Sequence, residues 1–197
     1  MGDAMARKKY EFRPDKTGPD LLGKLYLTKK QRLSLLKWLL FALVMLALLL
    51  IQDVILCRLD VFGATTDLVP CAIFLTCVLL GVESGSVFAL VTAALYQFSG
   101  SGPGYYVIAV IPALGILLTL VRQSYLRKGV GANILCTAIA FFLYEMCLLG
   151  IGLLNEQTVF FRSGTFLITT GLTLLAVPVL YPLFSALERI GGETWKE

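Results

Sequence analysis

Two apolar runs are too short to cross a membrane as ordinary helices, and they constrain the fold more than any other feature of this chain. They cover residues 68–80 and 87–98. A linker rich in Gly and Ser, residues 81–86, separates them, and a Ser/Gly/Pro segment that no helix tolerates intact follows at residues 99–104. A helix of about a dozen residues covers only about two thirds of a hydrocarbon core about 30 Å thick. The pattern predicts a helical hairpin shielded by longer neighbours, unless the flanking Thr, Ser and Gly residues extend both helices to normal length.

The charge distribution places most of the chain in lipid. Apolar residues make up 57% of the sequence and charged residues 15%, whereas about 25% of a soluble domain is charged. The charged residues concentrate near the two ends of the chain. We therefore predict an all-α integral membrane protein with a basic N-terminal tail over residues 1–32, a transmembrane domain over residues 33–187 and a C-terminal tail over residues 188–197.

Four further apolar runs are long enough to cross a membrane. They cover residues 33–56, 105–121, 132–154 and 166–187. Together with the hairpin they predict six transmembrane helices, in which the second and third form either short spans or a re-entrant pair. In both cases the hairpin returns to the side from which it started, so the remaining spans keep the same topology.

The positive charges predict the orientation of these spans. Of the 17 Lys and Arg residues, only Arg58 and Arg162 fall in loops that six spans would place outside. Because Lys and Arg accumulate in cytoplasmic loops, both termini are predicted to be cytoplasmic. The predicted location is the cell membrane.

The sequence carries no pattern typical of an enzyme. It contains no His, no phosphate-binding glycine loop after a strand, no GxSxG segment and no cluster of metal-ligating residues. The five cysteines show no CxxC spacing and are expected to be reduced thiols packed in the membrane. We expect no enzymatic activity, no cofactor, no metal and no nucleic-acid partner. Gly81 and Gly85 have the spacing of a close helix contact, but Glu83 and Ser84 between them favour a polar turn.

Glu145 is the most unusual residue in the apolar part of the chain, because it lies near the middle of its predicted span. An ionisable side chain at that depth costs about 2.5–3.5 kcal/mol, so it is expected to be neutral, paired or facing a wet interior. We predict an intramembrane polar network of Tyr144, Glu145, Gln97 and Asp53, with Tyr96 as a further candidate partner. Glu145 could tie the bundle together by hydrogen bonding or could bind a proton or ligand. Asp53 could instead reach only the outer interface.

The outer end of the hairpin is the predicted contact surface for a partner protein. The outer loops are too short to build a recognition domain. A partner protein must therefore bind to the helices and to the loop residues at their outer ends. Helices associate in lipid through small residues and hydrogen bonds. A hairpin brings both of its ends to one side, which gathers Asp67, Gln97, Gly100 and Gly102.

The order of these features resembles the bacterial rod shape-determining protein MreD family. The likeness rests on an Asp-led second apolar segment (Asp67-Leu68-Val69), the Gly-flanked turn at residues 81–85, Tyr144-Glu145 in the fifth span and Tyr181-Pro182-Leu183 near the C-terminus. It covers about residues 33–189. The family commonly has Asp where this chain has Gln97.

The resemblance implies a non-enzymatic scaffold or regulator of the rod complex, which directs lateral peptidoglycan synthesis and cell shape. The implied partners are an MreC-like single-pass protein and, through the complex, the actin-like MreB, the glycosyltransferase RodA and the elongation transpeptidase. The family fold is similar to the S components of energy-coupling-factor vitamin transporters. A substrate-binding S component is therefore the alternative function, and the short helices and Glu145 suit it. A proton-coupled carrier would need more relay groups than Glu145 and Asp53.

Overall fold

The computed structural model describes residues 29–58, 63–125, 129–155 and 163–190. Most of the predicted N-terminal tail, the loop at residues 156–162 and the end of the C-terminal tail lie outside the described residues. The described part contains six α-helices and a short 3-10 turn at Leu56–Arg58. The α-helices are α1 (Lys29–Val54), α2 (Leu68–Leu80), α3 (Val82–Phe98), α4 (Val107–Tyr125), α5 (Val130–Leu154) and α6 (Ser163–Arg189).

Four of these helices, namely α1, α4, α5 and α6, lie within segments long and apolar enough to cross a membrane. The prediction of an all-α, multi-pass membrane protein is confirmed at this level. The other two helices are shorter, with 13 residues in α2 and 17 in α3. The expectation of six transmembrane helices, with the second and third as short spans or a re-entrant pair, stays a prediction.

Helix α2 forms the centre of the bundle. Every residue of α2 except Leu68 is buried, and the helix packs against all five of the others. A helix that is apolar on every side is stable only inside a protein or in contact with lipid. Here longer helices surround α2. The prediction that longer neighbours shield the hairpin is confirmed for α2 only, because α3 leaves Val87, Leu90 and Val91 exposed.

The local sequence explains where α2 begins and ends. Pro70 stands in the first turn, where its missing N–H would have no helical partner in any case. Gly81 ends the helix with φ of 84°, a conformation that residues with a Cβ rarely adopt. Helix α3 then begins at once, at Val82. The predicted linker at residues 81–86 is therefore wrong in extent, because all of it except Gly81 belongs to the first turns of α3.

Glycine allows α2 and α3 to approach closely. A Cβ added to Gly85 would lie 2.9 Å from the Cα of Cys77, a distance that the backbone of α2 could not accommodate without moving. On the α4 side, a Cβ on Gly115 would lie 3.0 Å from the Cys77 Sγ. The interpretation of Gly85 as part of a polar turn is thus corrected: Gly81 makes the turn, and Gly85 makes the close helix contact.

The helices do not all end at one level. The backbone N–H of Asp67, just before α2, donates to the Thr173 hydroxyl at 3.1 Å, and Thr173 lies about three turns into α6. At the other end of α2, the Arg122 guanidinium donates to the Val78 carbonyl oxygen. Helix α6 therefore extends about 15 Å beyond the first residue of α2, which places the start of the central helix near mid-height of α6.

Candidate functional site

A layer of polar side chains lies at the N-terminal end of α2, inside an otherwise apolar bundle. Each side chain is either bonded to or within electrostatic range of another member of the group. We call this group the polar layer, and its members are Gln52, Asp67, Tyr96, Tyr144, Glu145 and Thr173.

Gln52 connects α1 to the start of the central helix. Its side chain is 6% exposed, and its Nε2 donates to Asp67 Oδ1 at 3.1 Å. Its Oε1 accepts from the backbone N–H of Val69 at 2.8 Å. The first N–H groups of a helix have no partner within the helix, so Gln52 caps α2 from a neighbouring helix.

Asp67 stands at the N-cap position of α2 but does not cap the helix with its own side chain. Its carboxyl instead accepts from Gln52, and its backbone N–H donates to Thr173. Because a polar group left without a partner inside a bundle costs free energy, both bonds favour the arrangement in which α1 and α6 meet at this residue. Asp67 thus joins α1, α2 and α6 through hydrogen bonds.

The remaining part of the layer contains polar atoms without partners. Tyr96 and Tyr144 are 0% exposed and Glu145 is 2% exposed. Within the described part of the chain, both tyrosine hydroxyls and the Glu145 Oε1 lack a hydrogen-bond partner. The Tyr96 hydroxyl lies near the Gln52 side chain without reaching hydrogen-bond geometry. Buried polar groups in proteins are nearly always paired. Three unpaired polar atoms within one layer are therefore unusual.

Aromatic packing holds the Tyr144 ring in place. Its ring centroid lies 6.0 Å from that of Phe74 in an edge-to-face arrangement and 6.0 Å from that of Phe141. Such contacts restrict ring rotation in a packed core. The direction in which the Tyr144 hydroxyl points is therefore set by the apolar neighbours of its ring.

The four residues of the predicted intramembrane network have different surroundings. Tyr144 and Glu145 lie in the polar layer. Asp53 is half-buried and accepts a hydrogen bond from the Ser101 hydroxyl in the loop after α3. Gln97 is also half-buried, and its Oε1 has no hydrogen-bond partner.

The residues of the predicted partner surface also occupy different environments. Gly100 is exposed with φ of 85°, and a Cβ added to it would meet no atom within 4 Å. Gly102 lies against Gln97. Asp67 is half-buried and is held by hydrogen bonds to Gln52 and Thr173.

Sequence reasoning missed Gln52 and Thr173. A single amide or hydroxyl within an apolar run changes the hydropathy of that run only slightly. The charged Asp53 next to Gln52 is the more conspicuous residue in the sequence. One helical step of about 100° separates Gln52 from Asp53, so the two side chains point in different directions. A helical wheel of α1 would have identified this choice but not its outcome.

The polar layer is suited to hydrogen bonding between helices. Among the described residues no group of three His, Cys, Asp or Glu side chains could hold a metal ion. Comparisons of the chain with protein-family models, with curated proteins and with solved structures find no match.

Proposed function

We propose that the chain is a non-enzymatic membrane scaffold of a cell-elongation complex, the role that its resemblance to the MreD family implies. The observation that supports this proposal is the place of the resembling residues in the fold. Asp67 connects three helices at the start of the central helix, Gly85 lies at the close contact with α2 and Glu145 lies in the polar layer. The short sequence features of the resemblance thus coincide with positions on which the bundle depends.

The proposed location is the cytoplasmic membrane of a bacterial cell, with both termini in the cytoplasm. Support comes from the concentration of Lys and Arg near the two ends and at residues 122–128. Arg122, at the end of α4, would then lie at the cytoplasmic end of α2. The loop after α3 would face the outside.

The proposed partner surface is the outer rim, which we define as residues 97–105. Two large aromatic side chains flank its Ser/Gly segment, with Phe98 81% exposed and Tyr105 84% exposed. Exposed aromatic residues beside small ones suit a partner helix, because aromatic anchors dominate binding energy and small residues permit close approach. The proposed partner is an MreC-like single-pass protein, which would link the chain to MreB, RodA and the elongation transpeptidase.

Co-purification from native membranes tests the rim. The double variant Phe98→Ala with Tyr105→Ala is expected to reduce recovery of the MreC-like protein at least about tenfold, equivalent to about 1.4 kcal/mol. Tyr125→Ala is the matched control, because Tyr125 is also 84% exposed but lies at the end of α4, near the opposite end of α2. Equal recovery with the rim and control variants would exclude the rim as the interface. Absence of an MreC-like protein from the wild-type preparation would contradict the scaffold proposal itself.

A second candidate function is a substrate-binding S component, and the polar layer favours it. Its unpaired hydroxyls and carboxyl could bind a small polar molecule. Mass spectrometry of molecules extracted from the purified protein tests this function. A vitamin-like compound at one equivalent per chain would favour the S component, whereas its absence from a protein that retains an MreC-like partner would favour the scaffold.

A further inference from the structure

The three unpaired polar groups of the layer come from two helices and are within electrostatic range of one another. Tyr96 belongs to α3, and Tyr144 and Glu145 belong to α5. Each tyrosine is within electrostatic range of Glu145, and the two tyrosines are within range of each other. None of the three is hydrogen-bonded to another, since all three atoms lack partners. Each of these buried atoms is therefore either unsatisfied or bonded to something other than the described side chains.

The charges around these groups are all acidic or neutral. The titratable groups within electrostatic range are Asp67 beside α2, Asp53 on α1 and Tyr106 before α4, in addition to the three groups themselves. Helix α6 contributes Thr173 to the layer, and this side chain carries no charge. A buried carboxyl that faces no cation is stable only when it is neutral. A neutral carboxyl both donates and accepts hydrogen bonds, as do the two tyrosine hydroxyls.

From this arrangement we propose that Tyr96, Tyr144 and Glu145 form an internal binding site for ordered water within the bundle. A buried water needs about two to four polar partners, and three groups that can each donate and accept meet that requirement. The remaining orphan atoms of the described chain, on Gln97 and Asn133, belong to other surroundings. Asn133 lies beside Tyr181, and Gln97 lies against Gly102. This inference does not depend on whether the chain binds a partner protein.

Replacing a tyrosine by phenylalanine distinguishes a hydrated site from a dry one. In a dry core, removing an unpaired hydroxyl relieves an unfavourable burial, so Tyr144→Phe should raise the Tm in detergent. In a hydrated site the same change removes a partner of the bound water, so the Tm should fall by about 3 °C. Tyr105→Phe is the control, because the exposed side chain of Tyr105 should leave the Tm unchanged.

Hydroxyl-radical footprinting of the wild-type protein gives a second measurement that requires no variant. Radicals produced by X-rays from ordered water modify the side chains beside that water, even when bulk solvent cannot reach them. We expect modification of Tyr96 and Tyr144 and protection of Phe41 and Phe184, which are equally buried at 0% exposure. Protection of both tyrosines, or a rise in Tm for Tyr144→Phe, would overturn the proposal in favour of a dry layer. Recovery of one equivalent of an organic compound from the purified protein would also overturn it, because that compound would occupy the site instead.

Discussion

Adjacent residues on α1 have opposite roles. Gln52 is buried and holds both the Asp67 carboxyl and the Val69 N–H, whereas Asp53 is half-buried and accepts from Ser101 in a loop. The amide is suited to the core because it can donate to a carboxyl and accept from a backbone amide without bringing a charge into the bundle. The carboxylate remains near the edge, where hydration is available.

At this residue scale, Gln52→Leu is expected to lower the free energy of unfolding by about 3 kcal/mol, because it leaves two buried groups without partners. Asp53→Asn keeps an acceptor for Ser101 and is expected to cost less than about 1 kcal/mol. Thermal and denaturant unfolding in the same detergent would measure both values. A smaller effect at position 52 than at position 53 would mean that the cap contributes little to stability.

At the scale of elements, the hairpin of α2 and α3 depends on one close contact. The Gly85 Cα lies beside the backbone of Cys77, and the Cys77 thiol donates to the Gly85 carbonyl oxygen at 3.4 Å. Backbone atoms cannot move aside as a flexible side chain can. Because α2 also contacts every other helix, a displacement of α3 from α2 would disturb the packing of the whole bundle.

Gly85→Ala is therefore expected to destabilise the protein by about 1–3 kcal/mol through overpacking. The matched control is Gly171→Ala in α6, where an added Cβ meets no atom within 4 Å and the higher helix propensity of Ala should maintain or slightly increase stability. Opposite signs of the two Tm shifts would support the close contact. A Gly85→Ala protein as stable as the wild type would show that the hairpin can open without cost.

At the scale of the whole molecule, the ends of the bundle differ in charge and in structure. The Arg122 guanidinium caps the C-terminal end of α2, and the polar layer lies at its N-terminal end. A C-terminal helix end carries partial negative charge, which a guanidinium stabilises. The same arrangement agrees with the orientation proposed from the distribution of Lys and Arg.

Labelling of two exposed serines tests this orientation. Ser99 follows α3 and Ser124 lies near the end of α4, and both are exposed. In a background where the exposed Cys57 and Cys147 are replaced by Ser, a cysteine at position 99 should react in intact cells with a membrane-impermeant thiol reagent. A cysteine at position 124 should react only after the cells are opened. The reverse pattern would invert the topology, and labelling of both positions in intact cells would contradict a membrane crossing by α4.

The sequence alone determined the helical membrane character and most helix boundaries. Long apolar runs predict α1, α4, α5 and α6 to within a few residues, since burial in lipid requires continuous apolar length. The apolar run at residues 68–80 has the observed bounds of α2, because an Asp precedes that run and a Gly follows it. The start of α3 does not follow from the sequence, because Glu83, Ser84 and Ser86 have the composition of a turn but here occupy the first turns of a helix.

The tertiary structure alone decided which surfaces face protein and which face lipid. The hydropathy of residues 68–80 is the same whether their neighbours are lipid tails or leucine side chains. The central place of this run could therefore not be derived from composition. The choice of Gln52 over Asp53 for the core depends on the rotation of α1 about its axis, which packing sets. The grouping of Tyr96 with Tyr144 and Glu145 depends likewise on how α3 and α5 pack around α2, because residues so far apart in the chain meet only when a third helix brings them together.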